Sequence, residues 1–324
     1  MKRWLDRISE RTARWLSLVF LVVGLGLLGT AIWFNLGAGG SGYTLTTYSM
    51  GSYVQQTVYG SGREEAAQAA STAVAELEGL ISWRVEGSDI ARLNQAAGTD
   101  FLQIAPQTWD ILHTAQEVCQ ASGGAFDITI APISWLWDFD EDPHLPQQST
   151  IESLLPAVDY TQLSLKEDGT AALRSHSAAL DLGSVGVWGE KPFGQLWNIA
   201  VRDPDSEGSL GTLSVPSGFL STSGSYEKQF EEDGVTYHHI LDPETGYPAE
   251  SRLVGVTIWS GSGVLSDALS TACFVLGMEE SLPLLEQFGC GAVFLTEDHQ
   301  IYVTENLADA FHLDSDNYTL AGVV

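Results

Sequence analysis

The chain has 324 residues, with 14 Lys+Arg against 42 Asp+Glu and a formal net charge of −28 at pH 7. Residues 1–34 hold 5 of the basic and 2 of the acidic side chains, so the remainder carries 9 − 40 = −31. That charge argues against nucleic acid or an anionic lipid surface as partner and fits a soluble exported domain. The three cysteines, Cys119, Cys273 and Cys290, are too few and too far apart for a disulfide scaffold or a metal motif.

The first element is a membrane signal. Lys2, Arg3, Arg7, Arg11 and Arg14 precede a charge-free apolar run over residues 15–34, with Trp15 and Trp33 near its ends. Twenty residues at helical rise just cross a hydrocarbon core, and the basic flank stays cytoplasmic. The expected layout is a single-pass anchor over residues 1–35 with the rest of the chain extracytoplasmic; a cleaved signal peptide is the competing reading. Gly37, Gly39, Gly40, Ser41 and Gly42 make residues 36–44 a flexible linker, and 45–324 one globular domain.

Residues 50–60 alternate apolar and polar side chains, as a half-buried strand does. An amphipathic helix follows over 64–81, then a short helix from Asp89 capped by Ser88, then a helix over 108–122 stopped by Gly123-Gly124. A short helix is expected at 151–155. Strands are expected at 163–165, 171–173 and 179–182, around an Asp168-Gly169 turn. Further strands fall at 197–201, 211–215, 218–222, 235–241 and 254–260. Helices occupy 265–276, ended by Gly277, and 279–288; a hairpin of 292–295 and 301–304 closes the domain. Strands and helices mix without a regular βαβ beat, which predicts an α+β class. Cys119 and Cys273 fall within apolar helical patterns, where a buried thiol is expected.

Chemistry concentrates in a few segments. His238-His239-Ile240-Leu241-Asp242-Pro243-Glu244-Thr245-Gly246 crowds two imidazoles and a carboxylate where an apolar strand breaks into a turn. On the helix beyond it, Asp267 and Thr271 stand at i and i+4, one turn apart on one face. A carboxylate, a hydroxyl and a backbone carbonyl suit Mg²⁺ rather than zinc. The plainer reading puts Asp267 in the first turn as a partner of the helix dipole. Ser221-Thr222-Ser223-Gly224-Ser225-Tyr226 offers hydroxyls and backbone N–H groups after a strand, and Trp135 and Trp137 either stack on a flat ring or fill a core.

Taken in chain order, Met50-Gly51-Ser52, the run from Asp89 to Asn94, Gly123 to Thr129, Leu180 to Gly186, Ser221 to Tyr226, His238 to Gly246 and Asp267 to Thr271 resemble the ApbE family, the FAD:protein FMN transferases. The resemblance covers nearly all of residues 45–320. It implies an ApbE-like (T-fold-like) α+β fold of mixed sheets with packed helices. The implied activity is Mg²⁺-dependent transfer of FMN from FAD to a Thr or Ser hydroxyl of a partner flavoprotein, with release of AMP. The resemblance places the metal on Asp267, Thr271 and the Gly186 carbonyl. It places FAD against Met50, Ala125, Phe126, Asp127, Ser184, Ser223 and Ile240. Arg84 stands where relatives often carry an aromatic residue, and His239 is the implied base for the acceptor hydroxyl. The family pattern beyond Gly186 is interrupted, with about thirty residues absent, the size of a crossover helix and its strand. Two alternatives follow: an FAD pyrophosphatase giving FMN and AMP, and a flavin-binding protein without turnover.

Overall fold

The computed structural model describes residues 42–49, 52–180 and 196–324. The anchor expected over 1–35, most of the linker, Met50, Ser184, Gly186 and the interrupted segment therefore lie outside the described residues. Among the described residues no helix is long and apolar enough to cross a membrane. The chain divides into two compact units, residues 1–75 and 76–324.

In the first unit, β1 (Tyr43–Ser49) pairs antiparallel with β2 (Ser52–Val58), from Tyr43↔Val58 to Ser49↔Ser52. β1 begins inside the stretch expected to be linker, because Tyr43-Thr44-Leu45 finds a partner strand that local composition does not announce. Helix α1 (Arg63–Ile81) follows, with Glu64 and Glu65 in its first turn, where acids favour the helix dipole.

The second unit continues with α2 (Asp89–Gln95), whose N-cap Ser88 accepts from the Ala91 N–H as the sequence suggests. Strand β3 (Leu102–Gln103) and α3 (Pro106–Ala121) follow, then α4 (Ala131–Trp137) and α5 (Gln148–Leu154). β4 (Leu163–Leu165) and β5 (Thr170–Leu173) form a small sheet with β3, in the order β3-β5-β4. The strand expected at 179–182 reduces to a parallel bridge between Ile130 and Ala179, with 181–182 outside the described residues.

The main layers come from the second half. β6 (Trp197–Arg202) and β7 (Ser209–Val215) are joined by β14 (Phe311–Leu313) in a three-stranded sheet. β8 (Phe219–Gly224), β11 (Leu253–Ser260), β12 (Gly291–Thr296), β13 (Gln300–Val303) and β15 (Thr319–Val323) make a five-stranded sheet ordered β15-β13-β12-β11-β8. All its pairings are antiparallel except β13–β15. The hairpin of β12 and β13 does not close the domain as expected: the chain returns through β14 and β15 to extend both sheets. β9 (Gln229–Glu232) and β10 (Val235–His238) form a separate hairpin around Asp233-Gly234, both with positive φ (53° and 79°). Such a turn matches the twist of the flanking strands.

Alternation along the five-stranded sheet creates two cores. Val293, Leu295, Ile301 and Val303 meet Val201, Leu210, Leu213 and Val215 of the smaller sheet. On the opposite face Val256, Ile258 and Phe294 meet α6 (Gly263–Leu276) and α7 (Met278–Phe288) through Leu269, Phe274, Leu284 and Leu285, with Val118 of α3 behind them. The result is a sheet–sheet–helix stack of the α+β class. All three cysteines are buried and free.

Candidate functional site

The site begins with β8 and α6, two neighbours whose periodicities meet. β8 pairs with β11 in the register Ser221↔Ile258, Thr222↔Thr257, Ser223↔Val256. Ile258 and Val256 face the helices, so the period of two turns Ser221 and Ser223 to the same side and Thr222 to the other. Thr222 Oγ1 accordingly lies 2.8 Å from Thr257 Oγ1. On α6 a carboxylate and two hydroxyls at i, i+3 and i+4 share one face: Asp267, Ser270 and Thr271. Ser221 Oγ donates to Asp267 Oδ1 at 3.0 Å, and Ser223 Oγ lies 2.8 Å from Ser270 Oγ and 3.1 Å from Thr271 Oγ1. Three expected residues, Ser223, Asp267 and Thr271, thus meet across one interface. Ser221 and Ser270 complete the group; the strand period marks Ser221, and the i+3 spacing marks Ser270.

The helix starts at Gly263, with Ser262 as N-cap and no acid in its first turn. Asp267 is a full turn inside, which corrects the expectation that it serves the N-terminal dipole. The donor set is all oxygen, one carboxylate among hydroxyls, which fits a hard cation that retains water and takes substrate phosphate. Among the described residues no three His, Cys, Asp or Glu side chains converge to hold a metal.

The aromatic residues divide between two hydrophobic clusters, one that includes α6 and one centred on Trp137. Ile240 is buried in the core that holds Leu269 and Phe274, and Phe126 packs at its margin. Ala125 is half-buried beside it in the chain. Asp127 is only 6% exposed, and both its oxygens are taken. Oδ1 accepts from the Thr129 N–H and hydroxyl at 2.8 and 2.6 Å, and Oδ2 from the Tyr160 N–H at 2.8 Å. Burial pushes its pKa up against those hydrogen bonds. The Asp127 carboxylate thus locks the loop that carries Ala125 and Phe126.

The strand expected over 235–241 ends at His238, because the Asp242 turn reels the next residues away. Gly246 N–H donates to Asp242 O and Asp242 N–H to Tyr247 O, both at 2.8 Å, while the Glu244 N–H caps Asp242 Oδ1 at 2.8 Å. Gly246 has φ +73°, and an added Cβ would lie 2.7 Å from Ile151 Cγ2. Trp137 is fully buried and donates Nε1–H to Gly246 O at 2.9 Å, whereas Trp135 is 40% exposed and packs at a tilt against Trp83, with ring centroids 4.9 Å apart. Of the two tryptophans considered for stacking, one is core and one is surface.

His238 turns towards Phe274 (ring centroids 5.5 Å) with Nε2 3.2 Å from Ala249 O. His239 turns towards Phe139 (6.5 Å), and its N–H donates to Lys228 O at 3.1 Å. The two imidazoles thus pack against different elements, His238 on Phe274 of α6 and His239 on Phe139 after α4. Desolvation lowers the His239 pKa from 6.5 to about 4, helped by the Lys228 and His238 charges. Its Nδ1 is buried without a hydrogen-bond partner among the described residues. The ring is a neutral base at neutral pH. Arg84 lies over the Trp83 ring at 4.3 Å and pairs with Asp140, which also holds Lys228. Asp140 and Lys228 have no local sequence signal; only the tertiary fold brings them to His239.

The α+β fold thus presents a sheet–helix interface that carries a carboxylate among clustered hydroxyls, a donor set that fits phosphate and a hard cation. The comparisons identify the family. The ApbE family pattern matches residues 50–187 and 183–294, and the chain belongs to the ApbE family. The two matched segments overlap at 183–187, where the sequence reading places the interruption. The chain is 30% identical over 285 residues to the FAD:protein FMN transferase of Treponema pallidum, covering 74% of this chain and 79% of the relative. It is 26% identical over 302 residues to the enzyme of that name from Escherichia coli K12, covering 79% and 84%. Among solved structures, the ApbE protein of Thermotoga maritima superposes with TM-score 0.76 at 25% identity, over 83% of this chain and 99% of that one. The flavinyl transferase ApbE of Pseudomonas stutzeri gives TM-score 0.69 at 25% identity, over 85% and 98%.

Proposed function

We propose that this protein transfers FMN from FAD to a Thr or Ser hydroxyl of a partner flavoprotein and releases AMP, in a Mg²⁺-dependent reaction. The observation that carries the reading is the meeting of Asp267 and Thr271 of α6 with Ser221 and Ser223 of β8. Membership of a family whose relatives bear the name FAD:protein FMN transferase supports it.

Asp267 and Thr271 would hold the ion, with the Gly186 carbonyl as the third ligand the family resemblance implies. The chemistry a bound Mg²⁺ supplies there is charge neutralisation at the pyrophosphate. His239 takes the proton of the acceptor hydroxyl onto its imidazole. The hydroxyl oxygen forms a bond to the FMN phosphorus, the bond from that phosphorus to the bridging oxygen breaks, and the electron pair leaves with AMP. A neutral imidazole is the form that can accept this proton. Ser223 orients the Thr271 hydroxyl, and Phe126 and Ile240 give the flavin an apolar wall. Met50, Ala125, Asp127, Ser184 and Ser223 complete the flavin and adenine contacts in this reading, with Arg84 at the rim. The apolar run 15–34 anchors the enzyme in the cell membrane with this domain outside the cytoplasm.

The test is incubation with FAD, Mg²⁺ and a candidate acceptor flavoprotein, followed by mass spectrometry of the acceptor. An acceptor gaining one FMN, with stoichiometric AMP, is the expected result. AMP and free FMN without an adduct would indicate hydrolysis instead, and no AMP at all would overturn the reading.

A further inference from the structure

Only nine Lys and Arg side chains follow residue 34, in a segment with net charge −31. Two of them, Arg84 and Lys228, converge on one carboxylate, Asp140. Arg84 Nη2 pairs with Asp140 Oδ2 and Lys228 Nζ with Oδ1, so a single acid ties together the turn after α1, the segment after α4 and the start of the β9–β10 hairpin. The side chains are 53%, 38% and 52% exposed for Arg84, Asp140 and Lys228. Ion pairs that wet add little to stability, so the consequence of the bridge lies in what it places.

What it places is His239. The Lys228 carbonyl accepts the His239 N–H at 3.1 Å, and Phe139, next to Asp140, turns the edge of its ring to the imidazole. We propose that Lys228 is a positioning residue for His239: tethered through Asp140 to Arg84, it holds the histidine backbone with its carbonyl, so that the imidazole stays in place. The role rests on the reading of His239 as the base in FMN transfer.

The charged and titratable groups facing His239 are Lys228 and His238 of its own hairpin and Asp140 of the loop after α4. The Lys228 ammonium and His238 oppose protonation, the Lys228 carbonyl and Asp140 favour it, and the ammonium acts more strongly than any of the other three. The sign is therefore fixed: removing the ammonium makes His239 easier to protonate.

The experiment measures exchange of the imidazole C2 hydrogen for deuterium in the full chain across a pH series, resolved to single histidines by mass spectrometry. In Lys228→Met, which keeps the apolar stem, the His239 midpoint should rise by about half a pH unit or more, while His238 stays in place against Phe274. Lys228→Arg should restore the wild-type midpoint, and Lys228→Gln provides a second neutral variant should the Met variant fold poorly. Asp140→Asn should disturb the His239 midpoint in the wild-type background more than in Lys228→Met, since its effect passes through Lys228. The acid limb of the FMN-transfer rate should move with the His239 midpoint. A midpoint that is the same in the wild type and both neutral variants overturns the proposal. A shift in the exchange data with no FMN transfer by the wild type would overturn the transfer reading and support the coupling of Lys228 to His239.

Discussion

Replacement of His239 by Asn tests the environment assigned to the imidazole. The folded ring has its pKa lowered from 6.5 to about 4, first by desolvation and then by the Lys228 and His238 charges. The unfolded chain therefore binds more protons between those two values, and stability is lost as pH falls through that window. A difference of 2.5 pH units at about 1.4 kcal/mol each gives about 3 kcal/mol once the window has been crossed. His239→Asn keeps a small polar side chain but does not titrate, so it should lose about that much less between about pH 7 and pH 4. Urea unfolding at half-unit pH steps, followed by tryptophan fluorescence, measures it; the carboxylates titrate in both proteins and cancel to first order. Stability curves for the two proteins that stay parallel from neutral pH to about pH 4 would refute the burial of this ring. The same low pKa predicts no loss of FMN transfer near pH 6.5, the ordinary histidine range, with the decline appearing only well below it.

Asp267→Ala should lower Mg²⁺-dependent FMN transfer by about 10²-fold or more with the melting temperature little changed, since its α6 neighbours Leu269 and Phe274 hold the core without it; full transfer by this variant would remove Asp267 from the site. Trp137→Phe removes the N–H that satisfies Gly246 O and should cost about 1–3 kcal/mol in urea unfolding, without altering the midpoint of His239 exchange. Gly246→Ala meets both a positive φ and Ile151 at 2.7 Å, and should destabilise by at least about 1 kcal/mol, measured the same way. Asp89→Ala strands the Ala105 N–H and the Thr108 hydroxyl, which both donate to Oδ2 at 2.8 Å, and should cost about 2–3 kcal/mol.

The local periods carried most of the element assignment and half of the site. A spacing of i and i+4 put Asp267 and Thr271 on one helical face, whereas Ser221, Thr222 and Ser223, expected to follow a strand, lie within β8. Asp-Pro-Glu-Thr-Gly announced its own turn, because Pro, Asp and Gly act on the backbone within a few residues. What no local period contains is the partner across space. The β8–α6 contact joins Ser223 to Thr271, 48 residues apart, and Arg84 meets Asp140 across 56. The length of helix α4, the role of Asp127 as a loop lock and the divergence of Trp135 from Trp137 depended likewise on burial against distant segments. The sequence determined that a histidine would stand at a strand end; only the tertiary fold, by removing water from the ring, decided that its pKa falls.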